Sequence, residues 1–147
     1  MYKDGKMKLA NDKISEISNK REYLYNKNQE IAETYDSSIE KREGINKLLR
    51  FRKTIVSYAE GNPTCGCQLT INLGNVLETG CGTGRNSQFY KDDTKVVAVD
   101  WSNNMIQEAL GKNYDESRIT YKIADVENLP FADESFDTVV DTFSLQR

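Results

Sequence analysis

Histidine is absent from the 147-residue chain, which removes the commonest general acid or base from any catalytic scheme. Cysteine is scarce. Cys65, Cys67 and Cys81 form an odd set, short of the four N or S ligands of a tetrahedral zinc site, and Cys81 stands apart from the other two. No metal site is expected, and reduced thiols fit an intracellular protein. No stretch approaches the ~20 apolar residues of a membrane span, and the amino terminus lacks the apolar core of a signal peptide. The start carries Asp4, Asp12, Glu16 and Glu22 with only Arg21 as arginine before residue 40, unlike the Arg-rich, acid-poor pattern of a transit peptide. A cytoplasmic location is the expectation. A strong basic charge is missing as well: the net charge is -3 and the isoelectric point about 5.1, so no field for nucleic acid is evident. Residues 1–60 hold 13 Lys and Arg against 10 Asp and Glu, and residues 61–147 hold 7 against 13, a surplus too small to mark an RNA-binding half. Internal repeats and low-complexity blocks are lacking. With 37% hydrophobic and 29% charged residues, the chain is about one domain with a modest core.

What is present is concentrated in Val76-Leu77-Glu78-Thr79-Gly80-Cys81-Gly82-Thr83-Gly84-Arg85-Asn86. An apolar strand ending near Glu78 bends sharply at Gly80, and the missing side chains at Gly82 and Gly84 let a ligand approach the main chain. The dinucleotide fingerprint G-x-G-x-x-G needs its third glycine at position 85, where this chain has Arg85. The register is E-x-G-x-G-x-G instead. A Glu78 carboxylate beside the ligand repels a pyrophosphate and accepts hydrogen bonds from an ammonium group. Asp100, 20 residues beyond Gly80, closes the run Lys95-Val96-Val97-Ala98-Val99, which reads as a short buried strand. A carboxylate at such a strand end accepts both ribose hydroxyls of an adenosine. The two sites together describe adenosine joined to a charged amino acid, although a glycine turn between strand and helix also occurs for packing alone.

These segments resemble the class I S-adenosylmethionine-dependent methyltransferases, particularly the branch with the ubiquinone and menaquinone biosynthesis enzymes. The likeness spans Asn75 to about Gln146. It comprises VLETGCGTGRN, VVAVDWSNNMIQEA, ADVENLPFADESFD and TVVDTFSL, in the family's order and spacing. The resemblance implies S-adenosylmethionine as cofactor and methyl transfer as the reaction. It implies that Glu78 and the backbone of Gly80, Cys81, Gly82 and Gly84 hold the methionine moiety, and that Asp100 holds the ribose. Trp101 and Ser102 would border the adenine, although Trp101 is equally an ordinary packing residue at a strand edge. Asp125 would accept the adenine amino group, with the Val126 backbone alongside, and Thr142 and Phe143 would close the pocket. No catalytic residue is implied. The acceptor stays open among a quinone precursor, lipid, other small molecule or macromolecule. Some relatives act in mitochondria, the alternative to the cytoplasm.

Strands are expected near residues 75–79, 95–100, 118–123 and 136–142, with helices near 84–91 and 102–112. This alternation predicts an α/β fold, a Rossmann-like doubly wound parallel sheet with ligands at the carboxyl ends of its strands. Residues 1–60 are expected as a helical extension, 61–74 as a loop and 75–147 as the cofactor domain. In the extension, Ile17, Leu24 and Ile31 make a narrow apolar stripe that docks weakly or frays. Ile45, Leu48, Leu49, Arg52, Ile55, Val56 and Ala59 make a wider face that covers the sheet. Tyr35-Asp36 and Leu48-Leu49-Arg50 resemble a lead-in that roofs the cofactor. Asp92, Asp93, Asp115 and Glu116 read as solvated surface, Asp133 and Glu134 as turn residues, and Asp141 as either a functional or a structural carboxylate. The family's sheet has seven strands and this sequence reaches the fourth, so the fold is expected to be truncated there. An exposed fourth strand would then be open to a partner chain. Two other classes compete with the methyltransferase reading. One is a non-catalytic cofactor-binding or interaction module. The other is a nicotinamide-dependent oxidoreductase, against which Glu78 and Arg85 argue.

Overall fold

Four short strands rich in β-branched residues form one parallel sheet in the computed structural model, which describes residues 2–43, 45–59 and 74–142. The strands are β1 (Asn75–Thr79), β2 (Lys95–Asp100), β3 (Ile119–Ile123) and β4 (Thr138–Asp141), in the order β3-β2-β1-β4. The chain moves outward from β1 through β2 to β3, then returns to the other side of β1. The strand order therefore reverses between β1 and β4, and a crevice opens at the carboxyl ends beside such a reversal.

Leu77 lies opposite Val97 on one side and Val139 on the other, and Glu78 opposite Ala98 and Val140. Because side chains alternate between faces, the two faces acquire separate cores. Val76, Val96, Ala98, Ile119 and Val140 pack with Val56 and Ile106, which belong to α2 (Ile45–Ala59) and α3 (Asn103–Leu110). On the opposite face Leu77 and Val99 pack with Ala124, Leu129, Phe131 and Phe136, from a connecting segment without helix. Val139 on that face is exposed, and the outer edge of β4 has no strand partner among the described residues.

α3 starts where predicted because Ser102, in an extended conformation, accepts from the Met105 N–H at its amino end. The expected helix at 84–91 is replaced by turns and a single 3-10 turn at Ser87–Phe89. Gly84 has φ +71°, outside the helical region, and the buried side chains of Arg85 and Asn86 are spent on tertiary contacts.

The amino-terminal helix α1 (Tyr2–Glu43) packs on α3, and its docked face takes in only part of the predicted stripe. Ile17 is exposed and Leu24 and Ile31 are half-buried, whereas Asn28 and Ala32 are buried. The contact face runs through Arg21, Tyr25, Gln29 and Asp36 and is made largely of hydrogen bonds. Gln29 Oε1 accepts from Ser102 Oγ and from the Asn104 N–H, each at 2.8 Å. On α2, Arg52 and Val56 are buried and Ile55 packs against the core. The expectations for Cys65, Cys67 and Phe143, and for the side chains of Ile45, Leu48, Leu49 and Ala59, lie outside the described residues. No described helix is long and apolar enough to cross a membrane.

Candidate functional site

A cavity of about 210 Å³ lies at the carboxyl ends of the strands, walled on one side by α1. The turn after β1 contributes Gly80, Cys81 and Gly82, the end of β2 contributes Asp100 and Trp101, the segment after β3 contributes Asp125 and Val126, and Thr142 follows β4. These eight predicted residues are brought together. Gly82 has φ +54°, and a Cβ built there meets nothing within 4 Å, so the main chain borders open space. This is the close-approach surface that a ligand needs.

Asp100 is the best-anchored acid in the wall. Its Oδ2 accepts from the Gly82 N–H and its Oδ1 from the Ser102 N–H, each at 2.9 Å. Two backbone donors fix the carboxylate plane. Asp125 Oδ1 accepts from the Glu127 N–H at 3.0 Å, and both acids pair with Arg21 of α1. The Arg21 guanidinium lies 5.9 Å from the centre of the Trp101 ring, while Tyr25 meets that ring edge to face at 5.8 Å. Trp101 is thus held by α1 as well as exposed to the cavity.

Three predicted residues stand outside the wall. Ser102 is fully buried at the start of α3 and shapes the site through its bond to Asp100. Gly84 is glycine for packing: a Cβ there would meet Tyr121 Oη at 2.5 Å and Ala109 Cβ at 3.1 Å. Glu78 is 1% exposed and faces inward. Its Oε1 accepts from Asn86 Nδ2 at 2.9 Å and its Oε2 from Tyr90 Oη at 3.1 Å. Burial raises its pKa to about 7, against the opposing effect of these hydrogen bonds. Burial likewise pushes the Cys81 thiol well up, which leaves it protonated and a poor nucleophile.

The wall also holds residues that motif reading missed: Arg21, Leu24 and Asn28 of α1, Arg52 of α2, and Thr83 and Arg85 of the glycine turn. Tyr35, weighed as a roof residue, is in the wall too. The positions 21, 24, 25, 28, 32, 35 and 36 follow a helical three-four spacing. That signal was available, but its residues are mostly polar, so a search for apolar periodicity passes over it.

Residues 76–147 match the family described as a methyltransferase domain. They belong to the class I S-adenosylmethionine-dependent methyltransferases. The chain is 29% identical over 141 residues to the ubiquinone/menaquinone biosynthesis C-methyltransferase UbiE of Geotalea uraniireducens, covering 84% of this chain and 54% of that protein. It is 35% identical over 72 residues to the malonyl-[acyl-carrier protein] O-methyltransferase of Hamiltonella defensa, covering 48% of this chain and 27% of the relative. Among solved structures, the magnesium protoporphyrin IX methyltransferase of Synechocystis, solved with bound SAH, superposes with a TM-score of 0.58 at 17% identity. That match covers 85% of this chain and 59% of the other. The chain thus spans about half the length of the UbiE relative. The methyltransferase fold is the one predicted, and S-adenosylmethionine is the family's cofactor.

Proposed function

We propose that the cavity binds S-adenosylmethionine and that the protein transfers its methyl group to a small-molecule acceptor. The observation that carries this reading is Asp100, a cavity-facing carboxylate at the end of β2, anchored by two backbone N–H groups beside the open space at Gly82. In this reading Asp100 accepts the ribose hydroxyls, Trp101 borders the adenine, and Asp125 with the Val126 backbone receives the adenine amino group. The backbone of Gly80, Cys81 and Gly82 passes along the amino-acid moiety, and Thr142 closes the end beside β4. Glu78 and Gly84 support the turn from behind the wall, Glu78 through its bond to Asn86, and Ser102 aligns Asp100.

Bound S-adenosylmethionine supplies a sulfonium methyl group as electrophile. The contribution of these residues is to hold the cofactor in one orientation and to exclude water from it. Arg21 and Tyr25 of α1 close over Trp101 and serve the second task. The two relatives methylate carbon and oxygen by name, so cofactor-binding residues of this kind serve acceptors of different chemistry.

Calorimetric titration with S-adenosylhomocysteine, with NADH as control, tests the reading. Saturable binding of the first alone is expected. Asp100→Ala should weaken that binding by about 2 to 4 kcal/mol, the loss of two hydrogen bonds to a charged acceptor with partial replacement by water. NADH binding alone, or unchanged affinity in the variant, would overturn it.

A further inference from the structure

Gln29 of α1 is half-buried and stands outside the cavity wall, yet its side chain is linked to both Asp100 and Trp101. Its Oε1 accepts from Ser102 Oγ and from the Asn104 N–H, each at 2.8 Å, and its main-chain carbonyl accepts from Asn104 Nδ2 at 3.0 Å. The Asn104 N–H belongs to the first turn of α3, where backbone donors have no partner within the helix. Ser102 caps that turn and is fully buried. Its hydroxyl has a single proton, which goes to Gln29, and the same oxygen accepts from the Met105 N–H at 3.3 Å. The Ser102 N–H meanwhile holds Asp100 Oδ1. A second path leaves the other end of the amide. Gln29 Nε2 donates to Tyr25 Oη at 2.8 Å, and the Tyr25 ring stands edge-on to Trp101. Asp100, Trp101 and Ser102 are consecutive, so one amide steadies the whole short loop at the end of β2.

We propose that Gln29 is a positioning residue for the adenosine half of the cofactor, acting on the ribose through Ser102 and Asp100 and on the adenine through Tyr25 and Trp101. This rests on the reading of the cavity as the S-adenosylmethionine site, and adds to it a residue of the helical extension 73 positions from Ser102 in sequence. A hydrogen bond weakens steeply as its angle and distance depart from the optimum, so a carboxylate that swings grips a hydroxyl less well than one held in its plane. Without the amide, the buried Ser102 hydroxyl loses its acceptor and the first turn of α3 loses part of its cap. The loop then relaxes about Asp100 while the carboxylate itself is still present.

Calorimetric titration of the full chain with S-adenosylhomocysteine and with its 2′-deoxy counterpart reads the ribose grip as the ratio of two affinities. The wild-type ratio is expected at about tenfold, the effect of one hydrogen bond to a carboxylate. Gln29→Met, which keeps the length and removes the amide, should shrink the ratio to about threefold or less. Gln29→Glu keeps the acceptor oxygens and should restore it. Gln29→Asn withdraws the same amide by one methylene and should relax the ratio as Gln29→Met does, so that a failure of Gln29→Met to fold still leaves an answer. An unchanged ratio in the folded Met or Asn substitution, even at lower overall affinity, would make Gln29 only a fastener of α1 to α3 and overturn the proposal. A relaxed ratio that Gln29→Glu does not restore would overturn it as well. Equal wild-type affinity for the two ligands would overturn the ribose reading of Asp100, and binding of neither would overturn the cofactor site itself; the inference falls with either.

Discussion

Gly82 and Gly84 share a left-handed backbone yet face different surroundings, so the same substitution should act differently at each. Alanine at either position incurs a left-handed strain of roughly 1–2 kcal/mol. At position 82 the added methyl enters open space beside the cavity, so Gly82→Ala should lose ligand affinity with little further loss of stability. At position 84 it meets Tyr121 and Ala109, and Gly84→Ala should destabilise by about 3 kcal/mol or more. Urea unfolding beside calorimetry separates the two outcomes. Glu78 yields a pH prediction. Its carboxyl titrates near 4.5 when exposed and at about 7 when folded. Between those values the folded state keeps a proton that the unfolded state has lost, so stability falls as pH rises through the window and levels off above it. The gap corresponds to roughly 3 kcal/mol. Glu78→Gln should flatten the dependence of urea midpoint on pH between 5 and 7, whatever it does to the midpoint itself.

At the scale of elements, α1 is a structural part of the site. Asp36 joins it to the glycine turn by accepting from Thr83 Oγ1 at 2.6 Å and by pairing with Arg85 and Lys112, while Lys112 also reaches the Thr83 carbonyl at 2.7 Å. Burial works to raise the pKa of Asp36, but hydrogen bonds from Lys112, Thr83 and Arg85 outweigh it and hold the carboxylate below its ordinary 3.8. Its stabilisation is therefore present above that value and lost as pH falls. Asp36→Ala should reduce the protection of α1 amides against hydrogen exchange by about 1 to 2 kcal/mol, given that the group is partly open to solvent. The strands, the glycine turn and the acids at their ends were legible in the sequence because each rests on a local pattern: a β-branched run, a glycine where φ is positive, a carboxylate at a strand end. Two things were not. The inward turn of Glu78 depends on Asn86 and Tyr90, eight and twelve residues downstream, and no periodicity reports such a pairing. The docking of α1 depends on polar side chains whose partners lie in other elements, and polarity alone reads as solvent exposure.

For the whole molecule, the parallel order β3-β2-β1-β4 sets sequence distance against spatial distance. β1 pairs with β2 across a short connection, but it meets β4 only after more than fifty residues, and Thr79 Oγ1 donates to Asp141 Oδ2 across a separation of 62. Arg21 reaches Asp125 across 104 residues. The cavity is bounded by these distant pairings: Thr142 just past β4 and Arg21 on α1. Closing long loops costs chain entropy before any contact compensates for it. The first three strands should therefore assemble before the cavity exists, and a ligand finds nothing to hold until the rate-limiting barrier has been crossed. In stopped-flow experiments, S-adenosylhomocysteine should leave the refolding rate unchanged and slow unfolding in proportion to its occupancy. Faster refolding with ligand would mean that the site takes shape early. Otherwise, the lifetime of the folded chain in a cell would follow the supply of its cofactor while the time needed to fold would not.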